Sequence, residues 1–274
     1  MPPTLLGVPS DISSSFLRGP ALAPPAIRAA LHSDSTNGCN EDGVDVRALL
    51  EDAGDLALDN DGPFPLEAIT AGAERVLATG ATPIFLGGDH AVTWPVVRAV
   101  SRHVSSLTIL HFDAHSDLYD ELDGSRTSHA CPFARIMEER LARRLVQVGI
   151  RTMNAHQQTQ ADRFGVEVVS MRVGFEAMRA AIASLTGPLY LSVDLDVLDP
   201  AFVPGISHPE PGGLTTRELL TLIQSIPRGI LVAADVVELN PVNDLRDLTA
   251  RVAATCVKEI VGRMSDGRGV RSEE

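Results

Sequence analysis

The densest chemistry in the sequence lies in Asp113-Ala114-His115-Ser116-Asp117, just after the apolar run Leu107 to Leu110. In an extended backbone, side chains two apart share a face, so Asp113, His115 and Asp117 project together from the carboxyl end of a strand. Two carboxylates and an imidazole on one small volume suit a divalent cation. Hard oxygen with borderline nitrogen favours manganese or zinc over the all-oxygen cage of calcium. Taken alone, the segment also reads as a solvated acidic loop. Two further clusters shift that reading. The run Leu189 to Val193 leads into Asp194-Leu195-Asp196, again at i, i+2 spacing. The run Pro83 to Leu86 opens into Gly87-Gly88-Asp89-His90, where paired glycines permit a tight turn. Singly, His90 is an ordinary loop histidine and Asp194-Asp196 a helix cap. Together they put polar clusters at three strand ends, where open parallel sheets carry their functional groups.

His90, Asp113, His115, Asp117, Asp194 and Asp196 make two imidazoles and four carboxylates, more ligands than one ion needs. Two divalent cations would balance the four carboxylates and make their burial tolerable. A water held between two cations ionises near neutral pH and becomes a nucleophile. A fourth cluster, Asp235 to Pro241, brings Glu238, surplus to the six ligands. A cationic substrate group such as guanidinium would pair with it; the alternative is a surface or helix-capping glutamate. His129, in a loop before the proline-started segment at Pro132, could shuttle protons near physiological pH, or simply mark a helix entry.

Positioning these residues requires strands that alternate with helices. Apolar runs at Thr4 to Val8, Pro83 to Leu86, Leu107 to His111, Leu145 to Val148, Leu189 to Val193 and Ile230 to Val237 predict strands. Helices are expected over Pro65 to Ala78, Thr93 to His103, Pro132 to Arg144, Phe175 to Leu185, Thr215 to Ser225 and Leu248 to Arg263. Thr215 and Glu218 have capping-box spacing. The alternation predicts βαβ units on a mostly parallel sheet. No repeat or linker divides residues 1–274, so a single domain is expected. Asp34 to Val44 and Pro200 to Gly213 read as long loops, which in a compact α/β domain are more often functional than decorative.

The formal charge of −13 argues against nucleic-acid or anionic-membrane surfaces, since both need a basic patch; a small cationic partner fits it. Only 4% of residues are aromatic against 44% apolar, so the core must be aliphatic. The three cysteines lack CxxC spacing, and no secretory leader or apolar span is visible. A cytoplasmic location is the expectation.

Gly87 to His90, Asp113 to Asp117, Ser192 to Pro200 and Asp235 to Pro241 together resemble the ureohydrolase family of arginases and agmatinases. The resemblance covers nearly the whole chain. It looks most like plant-type arginases, through SSSFLRGPALAPPAIRAAL, SHACPFARIMEE and SHPEPGGLTTRE. It implies a three-layer α/β/α sandwich, assembly as a trimer or hexamer, and hydrolysis of a guanidino group at a dimanganese centre. By position, one ion would be held by His90, Asp113, Asp117 and Asp194, the other by His115, Asp113, Asp194 and Asp196, with Asp113 and Asp194 bridging. The hydroxide between them would attack the guanidino carbon. Asp117 would orient it and assist collapse of the tetrahedral intermediate, His129 would relay protons, and Glu238 falls where the family binds guanidinium. Tyr119, Asn154 and His208 fall at substrate-tail positions.

Two departures bear on the substrate. The stretch NPVNDLRDLTARVAA after Glu238 is one residue short of the usual form and lacks a glycine before its Thr-Ala pair. Cys131-Pro132 beside His129 also differs from the plant pattern. The substrates implied are L-arginine, agmatine or another guanidino acid, or a modified arginine. N-hydroxyarginine, used by a bacterial member in D-cycloserine synthesis, would release hydroxyurea. A single-zinc deacetylase-like amidohydrolase would leave His90 or Asp117 idle. A degenerate scaffold would have lost ligands, whereas all six are present. No GxGxxG fingerprint supports a dinucleotide site.

Overall fold

A computed structural model describes residues 2–265. Strands β1 (Pro3–Val8), β2 (Glu51–Asp55), β3 (Thr82–Gly87), β4 (Thr108–Phe112), β5 (Arg144–Val148), β6 (Glu167–Val169), β7 (Leu189–Asp194) and β8 (Leu231–Val237) form one sheet in the order β2-β1-β3-β8-β7-β4-β5-β6. Every pairing in it is parallel. The four strands preceding the polar clusters, β3, β8, β7 and β4, are therefore consecutive neighbours at the centre. All four clusters leave the sheet at its carboxyl edge, side by side.

Alternating burial explains the layers. Ile84 and Leu86 of β3 and Leu189, Leu191 and Val193 of β7 join one apolar cluster, while Phe85 and Tyr190 join the other. Helices α1 (Ala23–Leu31), α7 (Phe175–Ala183), α8 (Thr216–Gln224) and α9 (Leu248–Met264) supply Ile27, Ile182, Leu222 and Ile260 to the first face. Helices α3 (Leu66–Leu77), α4 (Thr93–His103), α5 (Pro132–Glu138) and α6 (Ala155–Phe164) supply Ile69, Val97, Phe133 and Ala161 to the second. This is the three-layer α/β/α sandwich. The capping box of Thr215 with Glu218 starts α8, each side chain accepting the other residue's backbone N–H.

The structure departs from the sequence expectations at its edges. β2 and β6 were not among the expected strands; both lie at the rims of the sheet, and all five residues of β2 are exposed. An outer strand with no buried face has no apolar period to read. Helices α1, α2 (Val46–Leu49) and α6 were also not anticipated; α1 carries Pro24 and Pro25 in its first turn, where proline is tolerated. The helix expected over Pro132 to Arg144 stops at Glu138. Arg140 takes φ 56°, which turns the chain so that Arg144 opens β5.

Candidate active site

The turn after β3 brings His90 into the site. Gly88 packs so closely that a Cβ there would lie 1.7 Å from the Ser10 carbonyl oxygen, and one on Gly87 would strike Val237 at 2.4 Å. The glycines of Gly87-Gly88-Asp89-His90 are thus a requirement of close backbone approach. Asp89 does not face the cavity. Its carboxylate accepts from Ser13 N at 2.8 Å and Ala91 N at 3.1 Å, pinning the 9–19 loop and the turn at His90.

His90 is fully buried, and its Nδ1 lies 3.2 Å from Asp113 Oδ2, 3.1 Å from Asp117 Oδ2 and 3.0 Å from Asp194 Oδ2. Its other nitrogen, Nε2, meets Ser192 Oγ at 3.0 Å. Ser192 in turn donates to Asp235 Oδ1 at 2.7 Å, while Thr93 and Tyr190 donate to Asp235 Oδ2 at 2.7 and 2.5 Å. This chain fixes the proton on Nε2 and turns the Nδ1 lone pair toward three carboxylates. Nδ1 has no properly directed hydrogen-bond partner. A buried lone pair among carboxylate oxygens is an arrangement that a cation would satisfy.

A second group forms beside it. His115 Nδ1 lies 2.8 Å from Asp196 Oδ2 and 3.4 Å from Asp113 Oδ1, so Asp113 faces both histidines. Asp194 and Asp196 also shape their own turn: Asp194 Oδ1 accepts from Asp196 N at 2.8 Å, and Asp196 Oδ1 from Ala114 N at 3.0 Å. The capping and ligand readings of this pair are therefore compatible, because each carboxylate has an oxygen to spare.

Electrostatics favour a bound cation. Burial, then the charges of Asp196 and Asp113, hold Asp194 protonated well above the usual carboxylate range; burial and Asp113 push Asp196 up to about 7. Burial acts against the charged forms of His90 and His115, but the surrounding carboxylates raise both above the ordinary value. Without metal the cluster must hold protons to offset its own charge. Two divalent ions would replace them, so the residues fit the metal pair that their composition suggests. Asp117 reaches the cluster with φ 49°, a left-handed conformation that non-glycine residues seldom adopt and aspartate tolerates better than most.

Above the cluster opens a cavity of about 170 Å³, lined in part by His115, Asp117, Asp194, Asp196, His129 and Glu238. Glu238, at φ 67°, accepts from His90 N at 2.8 Å through Oε1, which also lies 3.4 Å from His129 Nδ1. Its Oε2 is buried without any partner. Burial opposes the charged form of His129, but Glu238 outweighs it and raises the imidazole to about 9. A raised value stabilises the fold below the ordinary 6.5, and that contribution is lost as pH rises through about 9. In metal-free protein, the melting-temperature advantage over His129→Asn is therefore expected to shrink between those pH values. A constant difference in thermal scans across that window would show that Glu238 does not hold the proton.

Of the expected tail residues, Tyr119 and His208 line the cavity and Asn154 does not. Asn154 caps α6: its side chain accepts from Gln157 N at 3.0 Å and donates to the Tyr119 hydroxyl at 2.7 Å. Ser15, Thr152 and Gln157 complete that wall, and sequence reasoning did not single them out. Nor did it find Arg151. That guanidinium donates to the carbonyl oxygens of Asp196 at 2.6 Å and Glu210 at 2.5 Å, tying the 196–210 loop to the end of β5. His111 was read only as strand. It is fully buried, with Nε2 at 2.8 Å from Asp113 Oδ2 and Nδ1 at 3.0 Å from Gln147 Nε2. The Gln147 amide donates to Nδ1, so Nε2–H donates to Asp113 and holds that carboxylate in place.

A carboxylate-rich centre on the carboxyl edge of a parallel sheet, with an unpartnered acid above it, is the architecture of a metal-dependent hydrolase acting on cationic substrates. Comparison with known proteins identifies the group. A family profile described as "Arginase family" matches residues 2–262. "Arginase 1, mitochondrial" of Arabidopsis thaliana is 44% identical over 96% of this chain and 81% of its own. An agmatinase of Bacillus subtilis is 32% identical over 94% and 90%. The solved arginase of Medicago truncatula superposes with a TM-score of 0.87 at 40% identity, covering 96% of this chain and 87% of its own. The chain belongs to the arginase family of ureohydrolases, enzymes that hydrolyse guanidino groups. No helix among the described residues is long and apolar enough to cross a membrane.

Proposed function

We propose that this hydrolase cleaves the guanidino group of L-arginine or a modified arginine at a pair of manganese ions. The products are an ornithine-type amine and urea. The observation that carries the proposal is Glu238 Oε2, a buried and unpartnered carboxylate oxygen on the cavity wall. A guanidinium presents parallel N–H donors that match a carboxylate edge, and binding there would set its carbon above Asp117, Asp194 and Asp196. Two manganese ions, one held by His90, Asp113, Asp117 and Asp194 and the other by His115, Asp113, Asp194 and Asp196, would supply Lewis acidity and a more acidic water. Asp117 orients the attacking oxygen and assists collapse. His129, beside Glu238, moves protons to and from the reacting groups. The sum is guanidinium plus water giving urea plus ammonium, with both water protons ending on the amine nitrogen.

The tail wall favours an amino acid over agmatine. Tyr119, Thr152 and Gln157 offer hydroxyl and amide groups suited to a zwitterionic tail. The carboxylates lining the cavity, Asp117, Asp194, Asp196 and Glu238, all belong to the catalytic end. A lone ammonium such as agmatine's would thus lack a counter-charge at the tail. N-hydroxyarginine, releasing hydroxyurea, fits the same wall. Assembly as a trimer or hexamer is part of the proposal and is read by light scattering.

The test is to load the protein with manganese and supply L-arginine, N-hydroxyarginine, agmatine and guanidinobutyrate, measuring urea or hydroxyurea with the amine. Two manganese ions per chain and turnover of an arginine-type substrate are expected. Turnover of none of the four would overturn the proposal, and one zinc per chain would favour a deacetylase-like chemistry.

A further inference from the structure

The loop between β1 and α1 reaches over the cavity and places one hydroxyl between two imidazoles. Ser15 Oγ lies 2.8 Å from His129 Nε2 and 3.4 Å from His208 Nε2. The two rings stack with centroids 4.5 Å apart and planes 25° from parallel. His129 is buried with Nδ1 toward Glu238, whereas His208 is half-buried at the edge of the cavity. The hydroxyl therefore sits beside the stack within reach of both Nε2 atoms, with the more buried ring toward Glu238 and the less buried one at the cavity edge.

We propose that Ser15 and His208 form, with His129, a proton relay between the reaction centre and solvent, Ser15 acting as its hydroxyl bridge. The inference rests on the hydrolase reading above. The balance of that reaction gives the relay a task in each direction. The attacking water must first lose a proton, and the leaving nitrogen must later gain one. On the outward passage, His129 Nδ1 takes a proton and its Nε2–H bond breaks toward Ser15 Oγ. The Ser15 O–H proton passes to His208 Nε2, and His208 Nδ1 releases its own to water. On the return passage each hop reverses, and His129 Nδ1 gives its proton to the amine. One turnover thus restores both tautomers and the serine hydroxyl, with no net proton gained or lost.

The surroundings support the direction of this chain. Glu238, Asp117 and Asp89 face His129 and favour its charged form, while burial and the neighbouring imidazoles of His129 and His115 depress His208 against Glu238 and Asp117. A charged His129 donates Nε2–H to Ser15, which donates onward to a neutral His208. A guanidinium on Glu238 offsets the carboxylate that favours the charged ring, so His129 releases its Nδ1 proton to solvent as substrate binds and regains it when product leaves, which opens Nδ1 to the water proton of the outward passage.

Ser15→Ala tests the relay in manganese-loaded protein. A fall in kcat of about 10²-fold is expected, with KM within about twofold and metal content unchanged. Imidazole buffer should restore part of the rate by carrying protons in place of the serine, and Ser15→Thr, which keeps the hydroxyl, should recover most of it. His208→Ala should lower kcat similarly, and the double variant should lose no more than either single one. A second readout uses metal-free protein: imidazole ¹⁵N NMR should show His129 charged and His208 neutral at pH 7, both shifting in Ser15→Ala. Native turnover in Ser15→Ala, a loss confined to KM, or additive effects in the double variant would overturn the relay. If native protein turns over none of the guanidino compounds, the hydrolase reading itself fails, which these outcomes do not mimic.

Discussion

Asp194→Asn is expected to slow guanidino hydrolysis more than about a hundredfold, the order associated with losing one fixed electrostatic stabiliser, while the metal-free protein melts higher than native. The two effects share one cause. Asp194 Oδ2 sits 3.0 Å from His90 Nδ1 in a site where burial and the charges of Asp196 and Asp113 penalise its ionisation. In the proposed metal pair that charge is needed, because Asp194 is assigned to both ions. Without them it is a buried acid among acids, and removing it relieves the fold. Asparagine keeps the oxygen that accepts from Asp196 N at 2.8 Å, so the turn after β7 survives and the loss of a cap, about 1 kcal/mol, is avoided. Metal analysis should find fewer than two ions per chain. An apo variant that melts below the native apo protein would show that this carboxylate supports the fold by itself.

The cluster of acids and imidazoles was legible because each of its segments directly follows an apolar strand run. Asp113, His115 and Asp117 follow β4 in a turn where Asp117 takes φ 49°, and Asp196 lies in a short 3-10 turn just after β7, so the i, i+2 spacing marks strand ends rather than a continued strand, while the apolar runs before them are buried on both faces. Their meeting needed only that β3, β8, β7 and β4 be neighbours, which a parallel sheet with its sites at the carboxyl edge makes natural. What the sequence hid depends on contacts distant along the chain. Ser15 meets His129 across 114 residues, and Arg151 meets Glu210 across 59; a serine among three serines and a lone arginine carry no periodic signal. Asn154, which the resemblance places at a substrate-tail position, also caps α6 with Gln157 three residues on, a spacing visible in the sequence. The sheet edges were unreadable for the opposite reason. Glu51–Asp55 has no buried face, and beyond its backbone pairing with β1 it is held by Asp52 and Asp55 on Arg28 of α1.

Glu238→Gln should separate substrate binding from metal binding. The variant keeps an oxygen to accept from His90 N, a bond of 2.8 Å in the native protein, so the turn that aims His90 stays in place. It replaces the unpartnered Oε2 with an amide N–H₂, which repels rather than receives the N–H edge of a guanidinium. Charge-assisted hydrogen bonds contribute about 1.5–3 kcal/mol each, so losing the pair should lower kcat/KM by about 10²–10⁴-fold at tenfold per 1.4 kcal/mol. Manganese content should remain at two per chain, in contrast to Asp194→Asn, since Glu238 bonds only the backbone of a ligand residue. In metal-free protein His129 should also lose the carboxylate that raises it to about 9 and titrate nearer its ordinary value, a shift that imidazole ¹⁵N NMR reads. The two variants thus fail for different reasons, one at the metal pair and the other at the substrate. Loss of manganese from Glu238→Gln, or arginine turnover within a few-fold of native, would place the guanidinium elsewhere and leave the buried oxygen of Glu238 without a role.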